Sequence, residues 1–261
     1  MNKKLIFFDI DGTILGEKSR KILPSTVAAI KKVRENGHYA LINTGRTSYL
    51  IGKELSEEIG FDGYLLGCGT SILFHGEELM HQSIAKEVTD ELMRELRACK
   101  IDAVLEGEEG DYRDEFENIH TDFFKTLLNE TGIIYKKWSD PDMIVDKLFV
   151  YTDENSKLSY FKNKFSHQFD FIDREMGFWE IVPAGFSKAS AISYLLEYLG
   201  MDVKDTIAIG DSNNDISMLA FAHTSIAMGN ATKEVRDMAT YITTDVDENG
   251  IQNALKWLNI L

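Results

Sequence analysis

The sequence predicts an α/β fold: a doubly wound parallel sheet into which a separate α+β unit is inserted. Three observations carry this reading. Short apolar runs, Leu5–Phe8 first, end abruptly in polar or turn residues, as buried strands of parallel sheets do. Segments with helical spacing, closed by glycine, lie between these runs and give a β-α-β-α-β alternation, which implies a right-handed parallel arrangement. The rhythm changes near Gln82 and resumes after Pro183, so residues 82–183 read as an inserted domain between core segments 1–81 and 184–261.

Each element has its own signal. After the first strand a flap-like segment is expected from Gly12 to Leu23. Pro24 with Ser25-Thr26 then opens a helix that Asn36-Gly37 closes, with Val27, Ile30 and Val33 at helical spacing. His38–Asn43 reads as a second strand ending in Thr44-Gly45-Arg46. A helix is expected over 47–59, a third strand over 63–67, and a small hairpin over 71–80 with Gly76 near its turn. In the inserted part the spacing predicts helices over 86–98, 120–128 and 156–165, strands over 101–105, 147–151, 169–172 and 178–182, and a polar loop over 106–114. From Ser187-Lys188 a helix runs to Leu199 before Gly200. A strand over 205–209 ends in Gly210-Asp211-Ser212-Asn213-Asn214-Asp215, and a helix follows to Phe221. A strand over 224–228, a helix from Ala231-Thr232 and a terminal helix over 249–261 complete the chain.

Composition excludes some classes of function. The net charge is −15 with no Lys/Arg-rich run to offset it, so neither nucleic acid nor an anionic membrane is an expected partner. An anionic substrate would need local positive charge, which a divalent cation and one well-placed lysine would supply. The two cysteines, Cys68 and Cys99, form no CxxC pattern and suit a reducing cytoplasm, the expected location. No apolar run is long enough to span a bilayer, and the start of the chain has no signal-peptide pattern. The six histidines show no metal-ligand spacing, which disfavours zinc.

The candidate chemistry sits at the ends of strands. Asp9 and Asp11 follow the first strand, at the carboxyl end where open α/β sheets bind ligands. Two carboxylates this close repel unless a cation or a proton lies between them. Phosphoryl transfer through an aspartate nucleophile with a hard metal ion uses such a pair, although Asp11-Gly12 also reads as a hairpin turn. Thr44 offers a hydroxyl just past a strand, beside the Gly45 amide; it also reads as a helix cap. Lys188 stands at a helix start, where a solvated lysine is the plain alternative. The Asp211–Asp215 cluster also reads as a helix cap.

Asp9-Ile-Asp11-Gly12-Thr13, Asn43-Thr44-Gly45-Arg46, Glu180-Ile-Val-Pro-Ala-Gly-Phe-Ser-Lys188 and Gly210-Asp211-Ser-Asn-Asn214-Asp215 occur in that order, with Ala227-Met-Gly-Asn-Ala231 after them. Together they resemble the haloacid dehalogenase superfamily of phosphatases, and most closely its Cof-type sugar-phosphatase branch. The resemblance implies a Rossmann-like core with an inserted α+β cap of the C2 type. It implies a phosphomonoester hydrolase acting on small phosphorylated metabolites, sugar phosphates or phosphorylated cofactors, through an aspartyl phosphate. In this reading Asp9 is the nucleophile and Asp11 the general acid and later base. Mg²⁺ is held by the Asp9 carboxylate, the Asp11 backbone carbonyl and the Asp211 carboxylate. Thr44 and Gly45 bind phosphoryl oxygens and Lys188 offsets transition-state charge. Asn214 contacts phosphate or the metal shell, and Asp215 orients Lys188 or the metal's waters. Arg46 either reaches substrate or pairs with an acid of the core.

One departure stands out: relatives usually carry Asn-Gly-Ala where this chain has Cys68-Gly69-Thr70, with Cys68 read as a buried small residue. The cap is expected to exclude water and select substrate. Residues 106–114, with Tyr112 and Arg113, are either specificity residues or a solvated loop. A phosphotransferase or phosphomutase using the same intermediate is the alternative activity. A non-catalytic binding protein is a further one, against which the intact Asp9, Asp11, Lys188 and Asp211 set argues. A dehalogenase would leave Asp11 without a task. A monomer or weak homodimer is expected.

Overall fold

A computed structural model of the chain describes residues 3–16 and 18–261; Glu17, inside the expected flap-like segment, and Met1-Asn2 lie outside the described residues. The chain divides into two compact units, one made of the chain to Arg46, Ile51–His81 and Ser187–Leu261, the other of Thr47–Leu50 and Gln82–Phe186.

The first unit begins with β1 (Leu5–Phe8), buried along its whole length. Helix α1 (Pro24–Glu35) starts on proline, whose missing N–H has no intrahelical partner to lose there. Strand β2 (Tyr39–Asn43) follows. The helix expected over 47–59 is broken into a 3₁₀ turn at Ser48–Leu50 and a π-helical stretch at Glu54–Ile59. The residues between them include Ile51 and Gly52, a β-branched residue and a glycine, both poor at propagating a helix. Strand β3 (Gly63–Leu66) leads through a left-handed Cys68-Gly69 turn into the hairpin of β4 (Ser71–Phe74) and β5 (Glu77–His81).

The second unit opens with α2 (Lys86–Ala98) and β6 (Asp102–Gly107). The polar loop expected over 106–114 is instead largely the hairpin of β6 with β7 (Gly110–Arg113). Its charges do not solvate a loop: Glu106 pairs with Lys147 and Asp111 is buried. Gly107 supplies the tight approach, since a Cβ there would fall 2.0 Å from the Ile144 carbonyl oxygen. Helix α3 (Asp122–Glu130) is capped by Thr121, whose hydroxyl accepts the Phe124 N–H. Then come β8 (Lys136–Lys137), β9 (Lys147–Tyr151), α4 (Leu158–Phe165), β10 (Phe169–Asp173) and β11 (Phe178–Pro183). They form a six-stranded sheet, β10-β11-β9-β6-β7-β8, antiparallel except at β7–β8. Helices α2 and α4 cover one face through Leu92, Leu96, Phe161 and Phe165, and α3 packs Phe124 and Leu128 near Val104 on the other.

The first unit resumes at α5 (Lys188–Leu199), held at its start by a capping box between Ser187 and Ser190 and ended by Gly200 at φ 62°. Strand β12 (Thr206–Gly210), a 3₁₀ turn at Asn213–Asp215, α6 (Ile216–Phe221), β13 (Thr224–Ala227), α7 (Lys233–Met238), β14 (Tyr241–Ile242) and α8 (Gly250–Trp257) follow. The sheet order is β14-β13-β12-β1-β2-β3-β4-β5, parallel from β14 to β3. The chain leaves β1 toward β2 on one side and returns to it through β12 on the other. Such a reversal opens a crevice at the carboxyl ends of the strands. Register fixes what meets there, because Phe8 lies opposite both Ile42 and Ile209. Among the described residues no helix is long and apolar enough to cross a membrane.

Candidate active site

The residues just past three neighbouring strands converge at this crevice: Asp9 after β1, Thr44 after β2 and Asp211 after β12. Helix α5 delivers Lys188 to the same place. Asn43 of β2 donates to the Lys188 carbonyl at 2.9 Å, which ties the helix start to the strand end.

Lys188 is 1 % exposed, so it is not a solvated lysine. Its ammonium donates to Asp9 Oδ1 at 2.7 Å and to Asp215 Oδ1 at 2.6 Å, and lies 3.5 Å from Asn214 Oδ1. The other Asp215 oxygen accepts the Asp211 N–H at 2.9 Å and the Ser212 N–H at 3.0 Å. Asp215 therefore links Lys188 to the turn that carries Asp211. The helix-cap reading of this cluster also holds in part, since Ser212 and Asp215 form a capping box.

Asp211 is held from the other side by the turn after β1. Thr13 Oγ1 donates to Asp211 Oδ1 at 2.7 Å. Gly12 has φ 84°, and a Cβ there would sit 2.3 Å from Asp211 Oδ2. The Asp11-Gly12 pair thus makes a turn, but one whose glycine lets an acid approach the backbone, not a hairpin turn. Asn230 donates to the Gly12 carbonyl at 2.8 Å and accepts the Val246 N–H at 3.0 Å, bracing the same turn.

The charges are unbalanced. Asp9, Asp211 and Asp215 are all buried and place carboxylate oxygens within 4.8 Å of one another, beside one ammonium. Burial, then the Asp215 charge, push the Asp9 carboxyl up to about 7 against the pull of Lys188. For Lys188 burial opposes the charge, but Asp215 and Asp9 outweigh it and raise its pKa above the ordinary lysine value. The donor set is hard oxygen, and both Asp215 oxygens are engaged by Lys188 and the turn. Asp9 and Asp211 are thus the carboxylates suited to a hard divalent cation.

Asp11 stands apart from this cluster. Arg46 grips it with two bonds, Nε to Oδ2 at 2.8 Å and Nη2 to Oδ1 at 2.5 Å. Of the two readings of Arg46, pairing with a nearby acid is the arrangement seen. Burial opposes the guanidinium charge, but the Asp11 hydrogen bond and the Asp11 and Asp9 charges together outweigh it and raise the Arg46 pKa. Thr44 is buried, and its hydroxyl accepts the Arg46 N–H at 3.2 Å, so it caps a turn and not the start of a helix. Gly45 lies between the two. Cys68 is buried, adopts φ 56°, a conformation that asparagine tolerates better than cysteine, and donates its N–H to the Thr44 carbonyl at 3.0 Å.

The structure thus gathers Asp9, Lys188, Asp211, Asn214 and Asp215 into one cluster, with Asp11–Arg46 as a separate ion pair. Thr13 and Asn230 lie inside the sequence motifs, but the sequence assigns neither a role. Their signal was position alone, directly behind the Asp-x-Asp-Gly turn and within the late Gly-Asn pair.

The model of the haloacid dehalogenase-like hydrolases matches residues 6–255. YkrA of Bacillus subtilis (strain 168), provisionally named a phosphatase, is 30% identical over 267 aligned positions covering 100% of both chains. YcsE of the same organism, a 5-amino-6-(5-phospho-D-ribitylamino)uracil phosphatase, is 27% identical over 97% of this chain and 94% of its own length. Among solved structures, a phosphatase of the haloalkanoate enzyme superfamily from Bacteroides thetaiotaomicron superposes with a TM-score of 0.86 at 25% identity, covering 99% of this chain and 96% of that one.

Proposed function

The chain belongs to the haloacid dehalogenase-like hydrolases, as a phosphatase of the Cof-type branch, and from that premise we propose that it hydrolyses a small phosphorylated metabolite through an aspartyl phosphate on Asp9. The buried Lys188 bridge between Asp9 and Asp215 is the observation that most supports it. It fixes a carboxylate at the strand end and puts a cation beside it, where phosphoryl charge would develop.

In the first half-reaction an Asp9 oxygen attacks phosphorus, the ester P–O bond breaks, and Asp11 gives its proton to the departing alkoxide. In the second, Asp11 takes a proton from water, the water oxygen attacks phosphorus, and inorganic phosphate leaves with the Asp9 carboxylate restored. Arg46 grips both Asp11 carboxylate oxygens, so the acid step requires that grip to loosen. Thr44 and the Gly45 N–H orient phosphoryl oxygens, with Asn214 beside Lys188. The Asp9 and Asp211 carboxylates and the Asp11 carbonyl would hold Mg²⁺. When bound, the ion offsets repulsion between the phosphate and these carboxylates. Asp215 and Thr13 position Lys188 and Asp211.

We assign choice of the organic group to residues 82–183, as a cap domain between core segments 1–81 and 184–261. The substrate in the name of YcsE carries its phosphate on a ribityl group, which supports sugar phosphates or phosphorylated cofactors as the substrate class. A phosphotransferase would use the same first half-reaction with an alcohol in place of water.

The test is phosphate release from a panel of phosphorylated metabolites, with Mg²⁺ or EDTA, by wild type and Asp9→Asn. Metal-dependent release lost in the variant is expected. Release that survives the substitution overturns the assignment of Asp9, and transfer to an added alcohol without free phosphate favours the transferase.

A further inference from the structure

The second unit holds a cavity that this chemistry does not use. Its volume is about 330 Å³, within the range of small-molecule sites. Most of its wall is apolar, with Val104, Leu128, Phe149 and Phe178 among the lining residues. The Phe149 and Phe178 rings lie nearly parallel, 13° apart with centroids separated by 5.3 Å, and present a stacked aromatic wall. The polar end is made by Glu106, Asp111, Thr131 and Tyr135.

Asp111 is the anomaly. It is 1 % exposed, it lines the cavity, and its Oδ1 has no hydrogen-bond partner among the described residues. The neighbouring cations are already engaged. Lys147 pairs with Glu106 at 2.6 Å and with Glu180 at 3.2 Å, and Arg174 pairs with Glu180. Two cations thus face two glutamates, and Asp111 adds an unmatched acid. A buried polar group left unpaired is costly, and a ligand donor would satisfy it.

We propose that this cavity binds a small molecule with a planar apolar body and one ammonium or N–H donor, the body against Phe149 and Phe178 and the donor on Asp111. That chemistry has two sources: the organic part of the phosphorylated substrate, which rests on the function proposed above, or a separate amine-bearing metabolite.

The test uses the full chain and three probes, benzylamine, phenethylamine and tryptamine, with 3-phenylpropanoate as the anionic control. Binding is read by calorimetry and by amide shifts in β6, β7 and β9, with no reliance on phosphatase activity. At least one amine should saturate the site below about 10 mM, while the anion does not. Asp111→Asn should weaken it about ten-fold or more, as loss of a hydrogen bond to a charged group does. Leu127→Trp, which fills the cavity from its half-buried wall, should abolish binding and serves where Asp111→Asn fails to fold. Competition by the bound amine against p-nitrophenyl phosphate identifies the substrate's organic part; binding without competition identifies a separate ligand. If no amine saturates, or if both variants bind as wild type does, the proposal is overturned.

Discussion

The Lys188 ammonium and the Asp215 carboxylate meet at 2.6 Å with no exposed surface on either side chain. Asp215 also accepts the Asp211 and Ser212 N–H groups, so its loss leaves those donors without their acceptor while Lys188 keeps Asp9. Asp215→Ala should therefore destabilise the fold by about 1–3 kcal/mol, read by denaturant unfolding. Lys188→Met should lower kcat about 10²–10³-fold, with a smaller change in KM. An Asp215→Ala protein as stable as wild type would show that the pair is dispensable.

Thr13 and Gly12, neighbours in the turn after β1, both abut the Asp211 carboxylate. Thr13→Val removes the 2.7 Å bond to Asp211 Oδ1. It should raise the Mg²⁺ concentration for half-maximal activity about 10-fold, the usual cost of losing a partner of a metal ligand. Gly12→Ala should be worse, since its Cβ would lie 2.3 Å from Asp211 Oδ2 in a backbone conformation unfavourable to alanine. A metal-titration curve that neither substitution moves would remove Asp211 from the metal assignment.

Much of the first unit was legible because its signals are local. β1 is a run of four apolar residues, α1 opens on Pro24, and Gly200 ends α5. The misreadings share a cause in tertiary context. The polar run 106–114 reads as a loop, either solvated or setting specificity, yet Lys147, far along the chain, pairs with Glu106 and permits a buried hairpin. The strands β8 and β14 are two residues each, too short for a period to show. At the candidate site, Asp9 and Asp211 are legible as strand ends, whereas Lys188 is legible only as a helix start and through the family resemblance. The bracing by Thr13 and Asn230 is not legible, because a hydroxyl or an amide shows its partner only once the turn is built.

Stability of the second unit should fall as pH rises from about 4 to about 8. Burial, then the Glu106 charge, push the Asp111 carboxyl from its ordinary 3.8 up to about 8, with Lys147 opposing. The folded state then binds a proton that the unfolded chain has released, so raising pH favours unfolding, with a slope of at most about 1.4 kcal/mol per pH unit for one group. Glu106, Lys147 and Tyr135 are the other titratable groups facing this carboxyl, and burial raises Glu106 in the same sense. Asp111→Asn should flatten the profile of unfolding free energy against pH. An unchanged slope in that variant would assign the titration to another group.

The central claim is that Asp9 carries the phosphoryl group, and a pre-steady-state measurement on Asp11→Asn tests it most directly. p-Nitrophenolate leaves without needing a proton, so the first half-reaction survives this substitution while the water-activating second half slows. The expected result is a burst of nitrophenolate equal to the number of active sites, followed by slow turnover, with borohydride converting residue 9 to homoserine in the quenched protein. The same experiment on Asp9→Asn should give no burst. A burst that persists without Asp9, or a reduced residue found elsewhere in the chain, would contradict the account.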